Sequence, residues 1–186
     1  MQIILASNSP RRRELLAQIT KTFTIEPSLF EESAKGLSAR DTALCFAVGK
    51  AREVASRFPE SVVLGADTVV SLDGEILGKP YTPERAKEML RALSGREHTV
   101  YTGVCVIGGG TELTKVVASR VIFRSLSDAL IERYVKSGLP LDKAGAYGIQ
   151  DGYPIVERYE GSLTNIIGLP VEETRELLAR IGEIPC

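Results

Sequence analysis

Residues 98–123 read HTVYTGVCVIGGGTELTKVVASRVIF, and this stretch decides the fold class. Apolar and β-branched residues fill two long strand-like runs, at about 98–107 and 112–123, and three glycines supply the turn between them. Asp73-Gly74 is a second hairpin signal, placed before the short apolar run 75–77. Hairpins this frequent do not fit a purely parallel sheet, so the sequence predicts a mixed one.

Helical patterns alternate with these strands along the rest of the chain. Apolar spacing and capping residues predict five helices, at about 10–19, 38–58, 82–94, 127–138 and 171–182. Shorter apolar runs predict strands at 3–5, 62–64 and 69–70 and around Ile155 and Ile166. No repeat or linker interrupts the pattern, so we expect residues 1–186 to form a single α/β domain, with room for two lobes.

Composition excludes several classes of protein. The 186 residues carry 23 basic and 24 acidic side chains, so a net charge of −1 offers no general attraction for nucleic acid or an anionic membrane. Cys45, Cys105 and Cys186 are too sparse for a disulfide framework or a CxxC knuckle, and a lone His98 excludes zinc sites with several imidazoles. No apolar run reaches the roughly 18 residues of a membrane span, and the N-terminus does not resemble a signal peptide. We therefore expect a cytoplasmic protein.

The segment LASNSPRRRELL, residues 5–16, is the strongest indication of a ligand. The other predicted helices carry acidic residues in their first turns, whereas this one carries Arg11, Arg12 and Arg13. Cations at a helix N-terminus are unfavourable by about 0.3–1 kcal/mol each, and a bound anion would compensate them. The alternative is solvated arginines paired with Glu14 or with a distant carboxylate.

The segment VVLGADTVVSLDGEILGKP, residues 62–80, places a carboxylate in an otherwise apolar strand. Burying Asp67 is costly unless a cation or hydrogen bonds compensate it, and Gly65 would permit close approach of a ligand or another backbone. Lys79 follows across the hairpin and could face the same cleft. The alternative for Asp67 is a structural turn cap.

Further candidates lie at three other places in the sequence. Lys50 borders the apolar face of the second helix, which fits either a snorkelling lysine or an active-site one. In the loop LDKAGAYGIQ, Asp142, Lys143 and Gln150 could contact a ligand, and the Gln amide offers the donor and acceptor that a base edge requires. His98 fits a structural hydrogen bond better than catalysis. Neither a dinucleotide-binding loop nor a Walker loop is present in the sequence.

Six ordered motifs resemble the Maf family of nucleoside triphosphate pyrophosphatases, across about residues 3–180. They are SNSPRR (7–12), GADT (65–68), GKP (78–80), LSGREHTVYTGV (93–104), DKAGAYGIQ (142–150) and NIIGLP (165–170). The resemblance implies a long mixed sheet with flanking helices that form two lobes around a cleft, as in inosine triphosphatases. The form of the DKAGAYGIQ motif resembles the branch that acts on dTTP and UTP.

The resemblance also implies roles for individual residues. Asp67 would be the proton acceptor. Lys50 and Lys79 would contact the phosphates, and Arg11, Thr68 and Gln150 stand at the positions linked to substrate choice. Ser7 and Arg12 belong to the substrate-binding set. A divalent cation, Mg²⁺ or Mn²⁺, would be held by Asp67 and an acid before the second helix, Glu31 or, preferably, Glu32.

The expected activity is hydrolysis of dTTP and UTP to the nucleoside monophosphate and pyrophosphate, with modified pyrimidine nucleotides left open. The partners are then the triphosphate and, because family members tend to be homodimers, a second copy of the chain. Two alternatives remain: pyrophosphatase activity on a modified purine nucleotide, and a non-catalytic nucleotide-binding regulator of septum formation.

Overall fold

The computed structural model describes residues 1–33, 36–182 and 184. Within these ranges the strands are β1 (Ile3–Leu5), β2 (Thr24–Ile25), β3 (Val62–Leu72), β4 (Glu75–Leu77), β5 (Glu97–Gly108), β6 (Thr111–Phe123) and β7 (Val156–Glu160). The helices are α1 (Pro10–Leu16), α2 (Ala39–Arg57), α3 (Pro83–Leu93), α4 (Asp128–Lys136), α5 (Leu163–Ile167) and α6 (Val171–Ile181). Two short 3₁₀ turns, Leu139–Asp142 and Ala144–Ala146, lie between α4 and β7.

All seven strands form one mixed sheet, which confirms the predicted fold class. Its order is β2-β1-β3-β5-β6-β7, and β4 pairs with β3. The strand β1 runs parallel to β2 and β3, and the other pairings are antiparallel. The β5–β6 hairpin turns at Gly109 and Gly110, whose φ angles of 54° and 75° favour glycine, as a tight primed turn requires.

One edge of β3 is interrupted. Strand β1 pairs with Val62–Leu64 and β4 pairs with Val70–Leu72, while β5 covers the opposite edge from Val63 to Ser71. In the described chain, residues 65–69 therefore have no strand on one side. Successive side chains point to opposite faces of a strand, so a cleft at this gap can reach both faces of the sheet.

Two apolar clusters lie along β3 on one face of the sheet. Val62, Leu64 and Ala66 pack in the cluster that includes α1 and α6 residues, and Val70 and Leu72 pack in the cluster that includes α3 and α4 residues. Thr68, with the same alternation, falls between them. Each of these two clusters forms the core of one lobe, and the polar residue Thr68 lies at the boundary between the lobes.

Helix α2 packs closely on the other face. A Cβ on Gly65 would lie 2.4 Å from the Ala47 carbonyl oxygen, and one on Gly103 would lie 2.2 Å from that of Ala43. The close approach that Gly65 permits is therefore that of another backbone. Asp67 lies two residues after Gly65, and Lys50 lies three residues after Ala47. The contact between Gly65 and Ala47 therefore brings the Asp67 and Lys50 side chains together.

The predicted strand around Ile166 was wrong. Residues Leu163–Ile167 form α5, which begins at a Ser162 cap whose hydroxyl accepts from the Asn165 N–H, and it ends at Gly168 with φ 135°. Two adjacent isoleucines fit a buried strand or one helical turn equally well. The Ser162 cap stabilises the helical turn.

Other boundaries also changed. The first helix ends at Leu16 rather than Ile19, because the N–H of Ile19 bonds the Leu16 carbonyl in a tightened turn. The runs at 62–64 and 69–70 belong to one continuous strand, and the two-residue β2 was not predicted.

Cys45 and Cys105 are free thiols, and Cys186 lies outside the described residues. None of the helices in the described ranges has the length and apolarity that a membrane span needs.

Candidate active site

Asp67 lies at the floor of a cleft on the open edge of β3. Its Oδ1 is 2.6 Å from Nζ of Lys50, which donates to it from α2, and the same Nζ is 2.6 Å from Oε1 of Glu32. Asp67 is buried, whereas the Glu32 side chain is 49% exposed. Of the two acids before α2, Glu32 is thus the one that contacts Lys50.

The pKa of the Asp67 carboxyl is raised above its ordinary value. Burial is the main cause, because a charged carboxylate loses solvation there, and the nearby charges of Lys50 and Arg12 oppose the rise. A buried carboxylate with a raised pKa and a cation in contact is suited to accept a proton.

The oxygens of Asp67 and Glu32 are chemically suited to a divalent cation. Both lie within 2.6 Å of one nitrogen, so they can be no further apart than twice that distance. Mg²⁺ is usually bound by one or two carboxylates together with substrate phosphates and water. Nowhere in the described ranges do three or more His, Cys, Asp or Glu side chains converge as a complete metal site, so substrate oxygens would have to complete this one.

Arg12 ties three segments together in the wall of the cleft. Its Nε donates to the Gly168 carbonyl at 2.9 Å, Nη2 donates to Thr68 Oγ1 at 3.2 Å, and Nη1 donates to Ser7 Oγ at 3.3 Å. Burial lowers the pKa of its guanidinium, and the charge of Asp67 acts in the opposite direction. Arg12 therefore joins α1, β3 and the end of α5 through protein acceptors.

Arg11 and Lys79 bring further positive charge to the cleft. Arg11 Nη1 lies 3.6 Å from Asp142 Oδ2, which is the distant carboxylate that the sequence left as an alternative. The Asp142 side chain is 66% exposed, so solvent screens this pair and leaves Arg11 available to a ligand. Arg13 is exposed and lies outside the cleft lining.

The cleft holds two adjoining cavities of about 140 and 330 Å³. Both are lined by Ser9, Arg11, Arg12, Lys50, Lys79 and Asp142. The smaller one extends past Asp67 and Thr68 to Gln150, while Ser7 lines the larger one. All the predicted site residues except Glu32, which joins through Lys50, thus line one cleft.

The loop that carries Gln150 has a constrained backbone. Gly145 and Ala146 have φ angles of 68° and 59°, and the latter is unusual for a residue with a Cβ. Gln150 is exposed at the cleft, whereas the ammonium of Lys143 is buried and occupied by protein acceptors.

Sequence reasoning missed a polar chain that supports Thr68. Thr68 Oγ1 and Thr102 Oγ1 are 2.9 Å apart, and Thr102 donates to the Asn165 carbonyl at 3.0 Å. The buried Asn165 amide in turn donates to the Val100 carbonyl and to Ser119 Oγ. The only signal in the sequence was a polar residue in each of two apolar runs.

The chain is similar to known proteins over nearly its whole length. A model of the family described as Maf-like protein matches residues 2–181. A dTTP/UTP pyrophosphatase of Moorella thermoacetica is 48% identical over 185 residues, which cover 97% of this chain and 95% of that protein. One from Anaeromyxobacter dehalogenans is 50% identical, covering 97% and 94%, and one from Thermococcus onnurineus is 49% identical, covering 91% and 92%. Among solved structures, the Staphylococcus aureus Ham1 protein is 18% identical with a TM-score of 0.46, covering 69% of this chain and 73% of that one.

Proposed function

The chain belongs to the family of Maf-like proteins, and from that premise we propose that it hydrolyses dTTP and UTP to the nucleoside monophosphate and pyrophosphate. Relatives about 50% identical over nearly the whole chain carry the name dTTP/UTP pyrophosphatase. The observation that carries the proposal is the buried Asp67 in contact with Lys50, in a cleft that Arg11 and Lys79 also line.

Asp67 acts as the general base in this proposal. A water attacks one phosphorus of the α–β linkage and gives a proton to the Asp67 carboxylate, while the phosphoanhydride P–O bond breaks and pyrophosphate leaves. The raised pKa of Asp67 makes it a better acceptor than an exposed carboxylate, and Lys50 holds it in position at 2.6 Å.

The cations of the cleft stabilise the reacting phosphates. Lys50, Lys79 and Arg11 line the cleft from three different segments, so they can meet charge that develops on several oxygens of the transition state. Ser7 and Arg12 bind the substrate at the N-terminal end of α1, and Arg12 also holds the Thr68 hydroxyl in place by a hydrogen bond. Gln150, with Thr68, selects the base.

Asp67 and Glu32 would hold the divalent cation, Mg²⁺ or Mn²⁺, jointly with substrate oxygens. When bound, such a cation neutralises phosphate charge and favours departure of pyrophosphate. Lys50 contacts both carboxylates, and because its ammonium carries three donors it can keep both contacts and donate a third hydrogen bond to a phosphate oxygen.

The proposal extends to the setting of the enzyme. We expect one Maf-like domain over residues 1–186 that acts in the cytoplasm as a homodimer, without a nucleic-acid or membrane partner. The near-neutral net charge of −1 supports the last point, since broad polyanion binding needs a cationic surface.

A triphosphate panel tests the function. Pyrophosphate release is measured for dTTP, UTP, CTP, GTP and 7-methyl-GTP, with and without Mg²⁺, for the wild type and for Asp67→Asn. We expect release from dTTP and UTP that needs Mg²⁺ and that falls about 10³-fold or more in the folded variant, the size of loss typical for a key catalytic group.

The alternatives have their own outcomes in this panel. Preference for 7-methyl-GTP would indicate a modified purine nucleotide as substrate. Tight binding of dTTP without hydrolysis under any condition would favour a regulator, and near-normal release by Asp67→Asn would overturn the assignment of the base.

A further inference from the structure

The hydroxyl of Tyr134 holds both ends of the turn that carries Gln150. Tyr134 is fully buried on α4; its oxygen accepts from the Gly148 N–H at 2.9 Å, and its proton is donated to Asp151 Oδ2 at 2.5 Å. The Asp151 N–H also donates to the Gly148 carbonyl at 3.1 Å, which closes the turn. Only Ile149 and Gln150 lie between the two anchored residues.

Burial keeps this hydroxyl protonated. It raises the pKa of Tyr134, and the hydrogen bond to Asp151 adds to the rise. Tyr134 therefore remains a donor to Asp151 throughout the neutral pH range.

A buried ion pair ties the same turn to the preceding segment. Lys143 Nζ lies 3.4 Å from Asp151 Oδ2, and the two side chains are 9% and 7% exposed. Lys143 also donates to the Leu139 carbonyl and, at 3.2 Å, to Asp142 Oδ1. If Asp151 moved away, a buried ammonium would lose a carboxylate partner, so the pair resists displacement of the turn.

The position of the turn determines where the Gln150 amide lies. An ideal Cβ on Gly148 would come within 2.8 Å of Gln150 Nε2 and 2.7 Å of Asp151 Oδ1. The Gln150 side chain thus folds directly over the Gly148 backbone, which is the group that Tyr134 anchors.

Anchoring has a chemical consequence for base choice. Thymine and uracil present a carbonyl acceptor where cytosine presents an amino donor. A Gln amide carries both an acceptor and donors, so on a mobile loop it could turn to suit either base. Discrimination requires that the amide be held in one place, because only then does the wrong base leave a polar group unpaired.

We propose that Tyr134 and Asp151, supported by Lys143, are positioning residues that fix the Gln150 turn and thereby make the enzyme select thymine and uracil over cytosine. The inference rests on the proposed function, since it assumes that Gln150 reads the base.

The test is Tyr134→Phe, which removes the anchoring hydroxyl and leaves the ring. We expect the ratio of kcat/KM for dTTP to that for CTP to fall about tenfold or more, chiefly through a higher KM for dTTP, while kcat changes by about twofold at most. Inhibition by inorganic tripolyphosphate should stay unchanged, because it has no base. A merely structural loss would instead weaken the activity on dTTP, the activity on CTP and the inhibition by tripolyphosphate alike.

Tyr153→Phe is the matched control. The Tyr153 ring packs against that of Tyr134 at an interplanar angle of 35°, with centroids 4.3 Å apart, but its hydroxyl is not part of the anchor. This variant should keep the wild-type ratio. Should Tyr134→Phe fail to fold, Asp151→Asn decides by the same readout, because it removes the charge that faces Lys143.

Two negative outcomes are distinct. If the wild type itself does not prefer dTTP over CTP, base selection in the proposed function fails and the positioning role falls with it. If the wild type prefers dTTP and a folded Tyr134→Phe keeps that preference, the positioning role alone is overturned.

Discussion

His98 is buried between the aromatic rings of Phe123 and Tyr147. Its ring centroid lies 5.0 and 5.3 Å from theirs, and its Nε2 is 2.7 Å from the Tyr147 hydroxyl. Burial lowers the pKa of the imidazole to about 4. A histidine that stays neutral and bonds a buried hydroxyl has the structural role that the sequence favoured.

The pKa of His98 predicts a defined acid sensitivity. Between pH 6.5 and about 4 the unfolded chain binds a proton that the folded protein excludes, so stability falls as the pH falls. The difference amounts to about 3 kcal/mol by pH 4. Urea unfolding of the wild type and of His98→Gln at pH 7 and pH 4 measures it, and the extra loss should be confined to the wild type.

NMR supplies an independent measurement of the same group. The chain has one histidine, so its imidazole signal needs no assignment. A signal that titrates near pH 6.5 would contradict the burial argument.

Single residues differ in how far the sequence could predict them. The sequence could predict that Asp67 and Arg11 line a cleft, because each residue breaks a local rule. Asp67 is a charge in an apolar strand, and Arg11 is a cation at the start of a helix. Thr102 and Asn165 were not, because a polar residue in a strand or apolar run acquires its meaning only from the partner across the sheet.

At the scale of elements, α2 is positioned by two glycines in the sheet. Gly103 pairs with Asp67 in the β3–β5 register, and both face α2. The helix backbone lies where a side chain at Gly103 would be. This close packing sets the height of α2 above the sheet, and with it the contact between Lys50 and Asp67.

Gly103→Ala should therefore reduce both stability and activity. Its Cβ would meet the Ala43 carbonyl at 2.2 Å, and backbone on both sides leaves little room to adjust. We expect a loss of about 1–3 kcal/mol, as for overpacked cores, and a lower kcat as Lys50 withdraws from Asp67. The urea midpoint at unchanged m-value and the rate on dTTP measure the two effects.

Gly78→Ala is the control for the stability effect. A Cβ there would meet nothing within 4 Å, so we expect a change within about 0.5 kcal/mol. Equal stability of the two variants would show that α2 does not depend on the glycine contact.

The order of elements was more predictable than their pairing. Hairpin and capping signals located most helices and the long strands because they act over a few residues. The gap between β1 and β4 on the edge of β3, which opens the cleft, depends on which distant strands pair. No local signal carries that information, and the short α5 was misassigned for the related reason that its apolar run fits two conformations.

At the scale of the whole molecule, the cleft lies between the two apolar clusters that pack on one face of the long strands. Arg11 enters from the α1 side, whereas Lys79 and Gln150 enter from the side of β4 and the loop after α4. The near-zero net charge thus hides a local concentration of cations around one carboxylate pair. A triphosphate in this cleft would contact segments from both lobes at once.

Ligand binding should therefore raise the thermal stability of the whole chain. A non-hydrolysable dTTP analogue with Mg²⁺, at about 100 times its Kd, stabilises the folded state by about 2.7 kcal/mol, or about 5–10 °C in Tm for a chain of this size. EDTA should reduce this shift, because phosphates and the Asp67–Glu32 pair would then repel each other, and thymidine alone should produce little, because it lacks the groups that the cations bind.

The shift with Mg²⁺ should shrink in Arg11→Ala and Gln150→Ala alike, since each removes the contact from one lobe. A shift that is the same with and without Mg²⁺ would contradict the role given to Asp67 and Glu32, and one that survives in Arg11→Ala would contradict a ligand that spans both lobes.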